Sequence, residues 1–263
     1  MHVASCGLLV PAALYGPPRG LAEAALRMCL RGNLAEAKLL TAPAAPAMFI
    51  LNHLFSLPVG QSRLTSELTL PPQASGLVML AHSSQEQRTS ARCRHIRRLL
   101  QQEDLGTLSV DLLLPQEQSR TAPTALAALL QQRLVATTQW ARRQSNLLGL
   151  RIGLLGQDET ATVVLEAGTE LRSQVGAIVS FGGTLAPETS LPLPVPTLLL
   201  VGDPAAASSE ARDLGTTSEA RPLAHADQRF QAPSALVPAT QQAAAWFNVY
   251  LAKPANPWAS PNG

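Results

Sequence analysis

Five near-continuous apolar runs, set apart by polar and helix-patterned stretches, constrain this chain more than any other feature. They are Gly76–Ala81, Thr107–Leu113, Ile152–Leu155, Val175–Phe181 and Thr197–Val201. Short apolar runs without strict alternation mark strands buried on both faces. Helical patterns fall between them, at about Ala91–Glu103, Thr124–Gln144 and Ala161–Ala167, and a closing helix is read at Gln241–Leu251. Strands alternating with helices imply βαβ units, hence an α/β fold with a mostly parallel sheet and helices on both faces. Leu64, Ser66, Leu68 and Leu70 alternate with Thr65, Glu67 and Thr69, which predicts a half-exposed edge strand ahead of the core.

The chain divides into three parts by pattern. Residues 1–60 read as a helical N-terminal extension, with Leu21, Ala24, Ala25, Met28 and Cys29 on one helical face, a Pro/Ala linker at 41–46, and an apolar stretch from Met48 to Leu57 closed by Pro58. Residues 61–253 carry the α/β pattern, and residues 254–263 form a proline-rich tail. Only 14% of residues are charged while 46% are hydrophobic. A surface so poor in charge is expected to meet a protein partner or a second copy of the chain through residues 1–60; that apolar segment reads either as an extension packed on the domain's own surface or as a docking arm. The net charge of +2 gives no reason to expect nucleic acid. The basic cluster Arg88, Arg92, Arg94, His95, Arg97 and Arg98 lacks interleaved aromatics and reads as a solvated helix face. No apolar run is long enough for a transmembrane helix. Cys6, Cys29 and Cys93 show no paired spacing, which predicts free thiols in the cytoplasm or another reducing compartment. No metal site and no cofactor are expected, because neither a His/Cys ligand pattern nor a Gly-rich phosphate loop occurs.

The stretch from Leu150 to Ala167 runs strand, tight turn at Gly156, then helix. Leu80-Ala-His-Ser-Ser84 follows the first core strand. Ser109-Val-Asp-Leu-Leu113, Gly153-Leu-Leu-Gly156, Val179-Ser-Phe-Gly-Gly183, Val195-Pro-Thr-Leu-Leu-Leu-Val-Gly202 and Phe230-x-x-Pro233 follow in that order. In order and spacing, residues 63–251 resemble the dienelactone-hydrolase-like branch of the α/β-hydrolase superfamily. The resemblance implies an α/β-hydrolase fold with a nucleophile elbow of pattern G-x-S-x-G. Here the five elbow positions read Gly156, Gln157, Asp158, Glu159 and Thr160.

Carried over residue by residue, the resemblance puts the nucleophile on Asp158. The acid position falls on Ala205, with Asp203 two residues early, and the base position falls on Gln228, with His225 three residues early. His82, Ser83, Gln157 and Glu159 line the implied oxyanion corner and pocket, and His82 is expected to be structural. A serine hydrolase needs an imidazole to take the nucleophile's proton and a carboxylate to hold that imidazole; losing one member typically costs about 10⁴–10⁶ in rate. The sequence therefore predicts a catalytically degenerate α/β-hydrolase-fold protein, a pseudoenzyme acting as a structural or interaction subunit. In that reading Asp158 caps the elbow helix, where the dipole favours an acid. The alternative is a hydrolase, either of dienelactone or ester type, or with an Asp nucleophile as in haloalkane dehalogenases and epoxide hydrolases. It would use Asp158 with a displaced His225, supported by Asp203 or Asp227.

Overall fold

A computed structural model describes residues 51–252 apart from 118–122, 145–146, 148, 184–191, 203–206, 208–213, 216, 224–229 and 231. Eight strands form one sheet: β1 (Leu51–Val59), β2 (Ser62–Leu70), β3 (Gly76–His82), β4 (Leu105–Asp111), β5 (Ile152–Gln157), β6 (Ala177–Phe181), β7 (Thr197–Val201) and β8 (Glu219–Pro222). Their order across the sheet is β1-β2-β4-β3-β5-β6-β7-β8. The β1–β2 and β2–β4 pairs are antiparallel, and every later pair is parallel. Five α-helices are described: α1 (Gln85–Thr89), α2 (Ala91–Gln102), α3 (Pro123–Ala141), α4 (Thr160–Leu171) and α5 (Pro233–Leu251).

The central strand shows why the apolar runs had to be strands. All of β3 is buried. Leu77, Met79 and Ala81 face one core with Leu130 and Leu134 of α3 and Val163 and Val164 of α4. Val78 and Leu80 face the other, with Cys93, Ile96 and Leu100 of α2 and Ala239, Ala243 and Phe247 of α5. Side chains alternate across a strand, so only a sheet with helices on both faces can bury such a run.

Three expectations are corrected. The boundary at residue 60 falls inside a hairpin: residues 51–59, assigned to the N-terminal extension, form β1 and pair with β2 from Leu51↔Leu70 to Val59↔Ser62. The two-residue connection has Gly60 first, at φ 56, where a side chain would be strained. Consequently β2 is not an edge strand, since β4 lies on its other side. The edge is β1, where Pro58, lacking an N–H, is tolerated. The closing helix begins at Pro233 rather than Gln241, with Pro238 inside it. A proline there costs about 3 kcal/mol; the surrounding Leu236, Ala239, Trp246 and Phe247 are buried, and that burial offsets the loss. Residues 1–50 and the 254–263 tail lie outside the described residues.

Candidate active site

Strand β5 delivers the chain to the middle of the sheet's C-terminal edge, and the backbone then reverses within two residues. Asp158 takes φ 53, and Glu159 at φ −62 leads into α4. A left-handed conformation costs a non-glycine residue about 1–2 kcal/mol, so the surrounding structure must hold it. Two neighbours do so. A side chain on Gly156 would come within 2.3 Å of the Thr160 carbonyl oxygen, so only glycine lets α4 start this close to β5. Thr160, at the elbow's closing position, is fully buried. Its hydroxyl accepts from the Gln157 N–H at 3.1 Å and lies 2.9 Å from the carbonyl oxygens of Ala81 and Gln157. It thereby ties the end of β5 to the end of β3.

Asp158 does not cap α4. The cap position is Glu159, which makes no side-chain capping bond. The Asp158 carboxylate turns instead towards the segment after β3. Arg92 Nη1 donates to Oδ2 at 3.1 Å and Oδ1 at 3.3 Å. Gln87 Nε2 donates to Oδ2 at 3.3 Å. Both Asp158 and Arg92 remain partly exposed.

The same segment builds the oxyanion corner. Ser84 caps α1 by accepting from the Gln87 N–H at 3.2 Å, and Ser90 caps α2 by accepting from the Cys93 N–H at 3.1 Å. The Ser83 N–H, in the position that this elbow architecture uses as an oxyanion donor, donates to Gln87 Oε1 at 2.7 Å. The Ser83 hydroxyl lies 3.3 Å from the same oxygen and 3.4 Å from Glu159 Oε2.

Beneath this corner lies a second group of charges. Arg88 Nε donates to Asp111 Oδ1 and Oδ2 at 2.9 and 3.0 Å, and Arg88 Nη1 pairs with Glu67 at 3.2 Å. Arg97 also pairs with Glu67. The basic cluster expected to be a solvated face is therefore split: Arg88, Arg92 and Arg97 turn inward to carboxylates. Burial raises the Asp111 pKa, against the hydrogen bond from Arg88. His82 is fully buried, with Nε2 3.4 Å from Cys93 Sγ. Burial, then the positive charges of Arg97 and Arg88, lower its pKa to about 3. Burial pushes the Cys93 thiol up to about 12. The two are held as neutral imidazole and thiol, so this is not a thiolate nucleophile with its base.

Asp158, Gln157, Glu159, His82 and Ser83 are thus gathered at the ends of β3 and β5. His225, Asp203, Ala205, Asp227 and Gln228 lie outside the described residues. Arg92 and Gln87 escaped the sequence reading. Arg92 sat among positives with no visible partner, and nothing in the sequence marks Gln87. Among the described residues, no group of three or more His, Cys, Asp or Glu side chains could hold a metal ion, and no helix is long and apolar enough to cross a membrane.

The sheet order, with its antiparallel first strands, and the strained elbow after β5 define an α/β-hydrolase-fold protein. No protein-family profile matches the chain. The crystal structure of a dienelactone hydrolase from Anabaena variabilis is 33% identical, with a TM-score of 0.70 over 77% of this chain and 99% of that one. On that likeness the chain belongs to the dienelactone-hydrolase-like branch of the α/β-hydrolase superfamily. An α/β serine hydrolase from Xanthomonas campestris (15% identity, TM-score 0.60, 77% and 97% covered) and carboxyl esterase 2 from Tuber melanosporum (14%, 0.57, 82% and 97%) share the fold. A proposed phosphoribosyl transferase from each of two Mycobacterium tuberculosis strains is 33% identical over 172 residues. The match covers 65% of this chain but only 38% of those relatives, so the chain spans well under half their length.

Proposed function

We propose that this chain is a hydrolase acting at the elbow, with Asp158 as a carboxylate nucleophile. The observation that carries the reading is the Asp158 backbone. A non-glycine residue is held at φ 53 between strand and helix, with its carboxylate partly exposed. Strain of this kind clusters at working sites, and of the described non-glycine residues that carry it, Asp104, Asp158, Arg172 and Phe230, only Asp158 stands at the elbow. An Asp158 oxygen would attack the electrophilic carbon of an ester, epoxide or alkyl halide. At an alkyl halide the new C–O bond displaces halide, and at an epoxide it opens the ring to an alkoxide that takes a proton from solvent water, either way leaving an ester on Asp158; at an ester carbonyl it expels an alkoxide, protonated by solvent water, and leaves a mixed anhydride on Asp158. Water, giving its proton to His225, then attacks the Asp158 carbonyl carbon, frees the product and restores the carboxylate. Asp203 is the proposed orienting acid behind His225. The Ser83 N–H would steady negative charge on a carbonyl substrate once Gln87 withdraws. The test is turnover of an ester, epoxide and haloalkane panel by the wild type and Asp158→Asn. The reading expects turnover by the wild type and a loss of about 10³-fold or more in the variant; turnover that Asp158→Asn leaves intact would overturn it.

A second reading keeps the fold without the chemistry. Arg92 and Gln87 together occupy both Asp158 oxygens, and Gln87 occupies the Ser83 N–H. A site closed in this way suits a catalytically degenerate subunit whose role is interaction, through a protein partner or a second copy and residues 1–60. It expects no turnover on the panel and a mass above that of the monomer in light scattering of the full chain. A monomer that turns over substrate contradicts it.

A further inference from the structure

We propose that the Gln87 carboxamide occupies the ligand position of the elbow, and that the ligand this site takes is a small carboxamide or lactam. The Gln87 side chain makes hydrogen bonds at both of its ends. Its oxygen accepts from the Ser83 N–H at 2.7 Å. Its nitrogen lies 3.3 Å from Asp158 Oδ2 and 3.4 Å from the Gln157 carbonyl oxygen. The cradle therefore presents one donor and two acceptors, spaced for an acceptor and an N–H on the same carbon. Gln157 Oε1, buried and without a partner among the described residues, adds an unused acceptor to the same residue.

Gln87 is half-buried on a five-residue helix. It can swing out without disturbing either core, whereas the groups it touches are fixed by β3, β5 and the elbow. What replaces it must satisfy the same three groups. A primary carboxamide does so with its C=O and its two N–H bonds, as Gln87 does, and a lactam meets the donor and one of the two acceptors with its C=O and single N–H. An ester or lactone offers the C=O but turns an oxygen lone pair towards Asp158 and the Gln157 carbonyl, leaving both without a donor. A site built to hydrogen-bond an N–H discriminates strongly against an analogue lacking it.

The inference rests on the elbow being a ligand site, as the hydrolase reading requires, but not on turnover. The test titrates the full-length wild type and Gln87→Ala with 2-pyrrolidinone and with γ-butyrolactone, which differ only by N–H against O, reading affinity from backbone amide shifts. Gln87→Ala should bind the lactam about tenfold or more tighter than the lactone, and about fivefold or more tighter than the wild type does. Equal affinity for lactam and lactone, or equal lactam affinity in wild type and variant, overturns the proposal. Should Gln87→Ala fail to fold, Gln87→Met, which keeps the side-chain length without the hydrogen bonds, is judged by the same comparison. Selective lactam binding with turnover of neither the panel nor 2-pyrrolidinone would sink the hydrolase reading and leave this one standing.

Discussion

Among the described residues two aspartates pair with arginines, and the two pairs serve different ends. Asp111 and Arg88 are buried at the end of β4, joined through two short hydrogen bonds, with Glu67 sharing the arginine. Asp158 and Arg92 meet at the elbow through longer contacts and stay partly exposed. A buried pair binds its members to one geometry, because either one alone would be an uncompensated charge in the interior. A pair that keeps some exposure, 16% and 20% of the Arg92 and Asp158 side chains, opens more readily, because water reaches it as it parts. The first pair locks α1 onto the sheet, and Arg97 of α2 joins it through Glu67. The second is the one that a substrate or a partner can break.

The largest effect should come from breaking the buried pair. Arg88→Met leaves Asp111 without its main partner and is expected to cost about 3–5 kcal/mol in urea unfolding; a loss below about 1 kcal/mol would show that the pair is not needed to hold α1.

Acid should act next. The folded pKa of His82 is lowered from 6.5 to about 3. Below pH 6.5 the unfolded chain takes up a proton at this imidazole that the native chain refuses. Stability therefore falls as pH drops towards 3, by about 2 kcal/mol at pH 5 relative to pH 7. Glu117 adds in the same direction, since the hydrogen bond from Arg133 depresses its pKa and its contribution is lost as pH falls. His82→Gln should flatten the slope of stability between pH 7 and 5; an unchanged slope would mean that His82 is not its source. The smallest expected effect is at the elbow. Arg92→Gln should shift stability by less than about 1 kcal/mol. If it destabilises as strongly as Arg88→Met, the contrast between the two pairs collapses.

How much of this was legible follows from period and partner. The core strands were legible because burial on both faces leaves an unbroken apolar run, as in β3 and β5. Strand β1 was not, because its Leu51–Val59 sequence contains Pro58 and follows apolar residues that mimic a continuing segment. The start of α5 was hidden by Pro238, whose local cost is outweighed by packing that a linear pattern does not display. At the site, the elbow was legible from Gly156 and its place between strand and helix. The destination of the Asp158 carboxylate was not. Its partners come from 66 and 71 positions earlier in the chain, and only the parallel pairing of β3 with β5 brings them together.

If Asp158 is the proposed nucleophile, it forms a bond to substrate. The most direct test is a single turnover in heavy-oxygen water, using an epoxide or haloalkane that the panel identifies as a substrate, followed by mass analysis of the peptide spanning Asp158. Attack on the carboxyl carbon of an Asp158 ester predicts that heavy oxygen enters the Asp158 side chain. Product formation with the label wholly in the product or solvent, and none in that peptide, would contradict it.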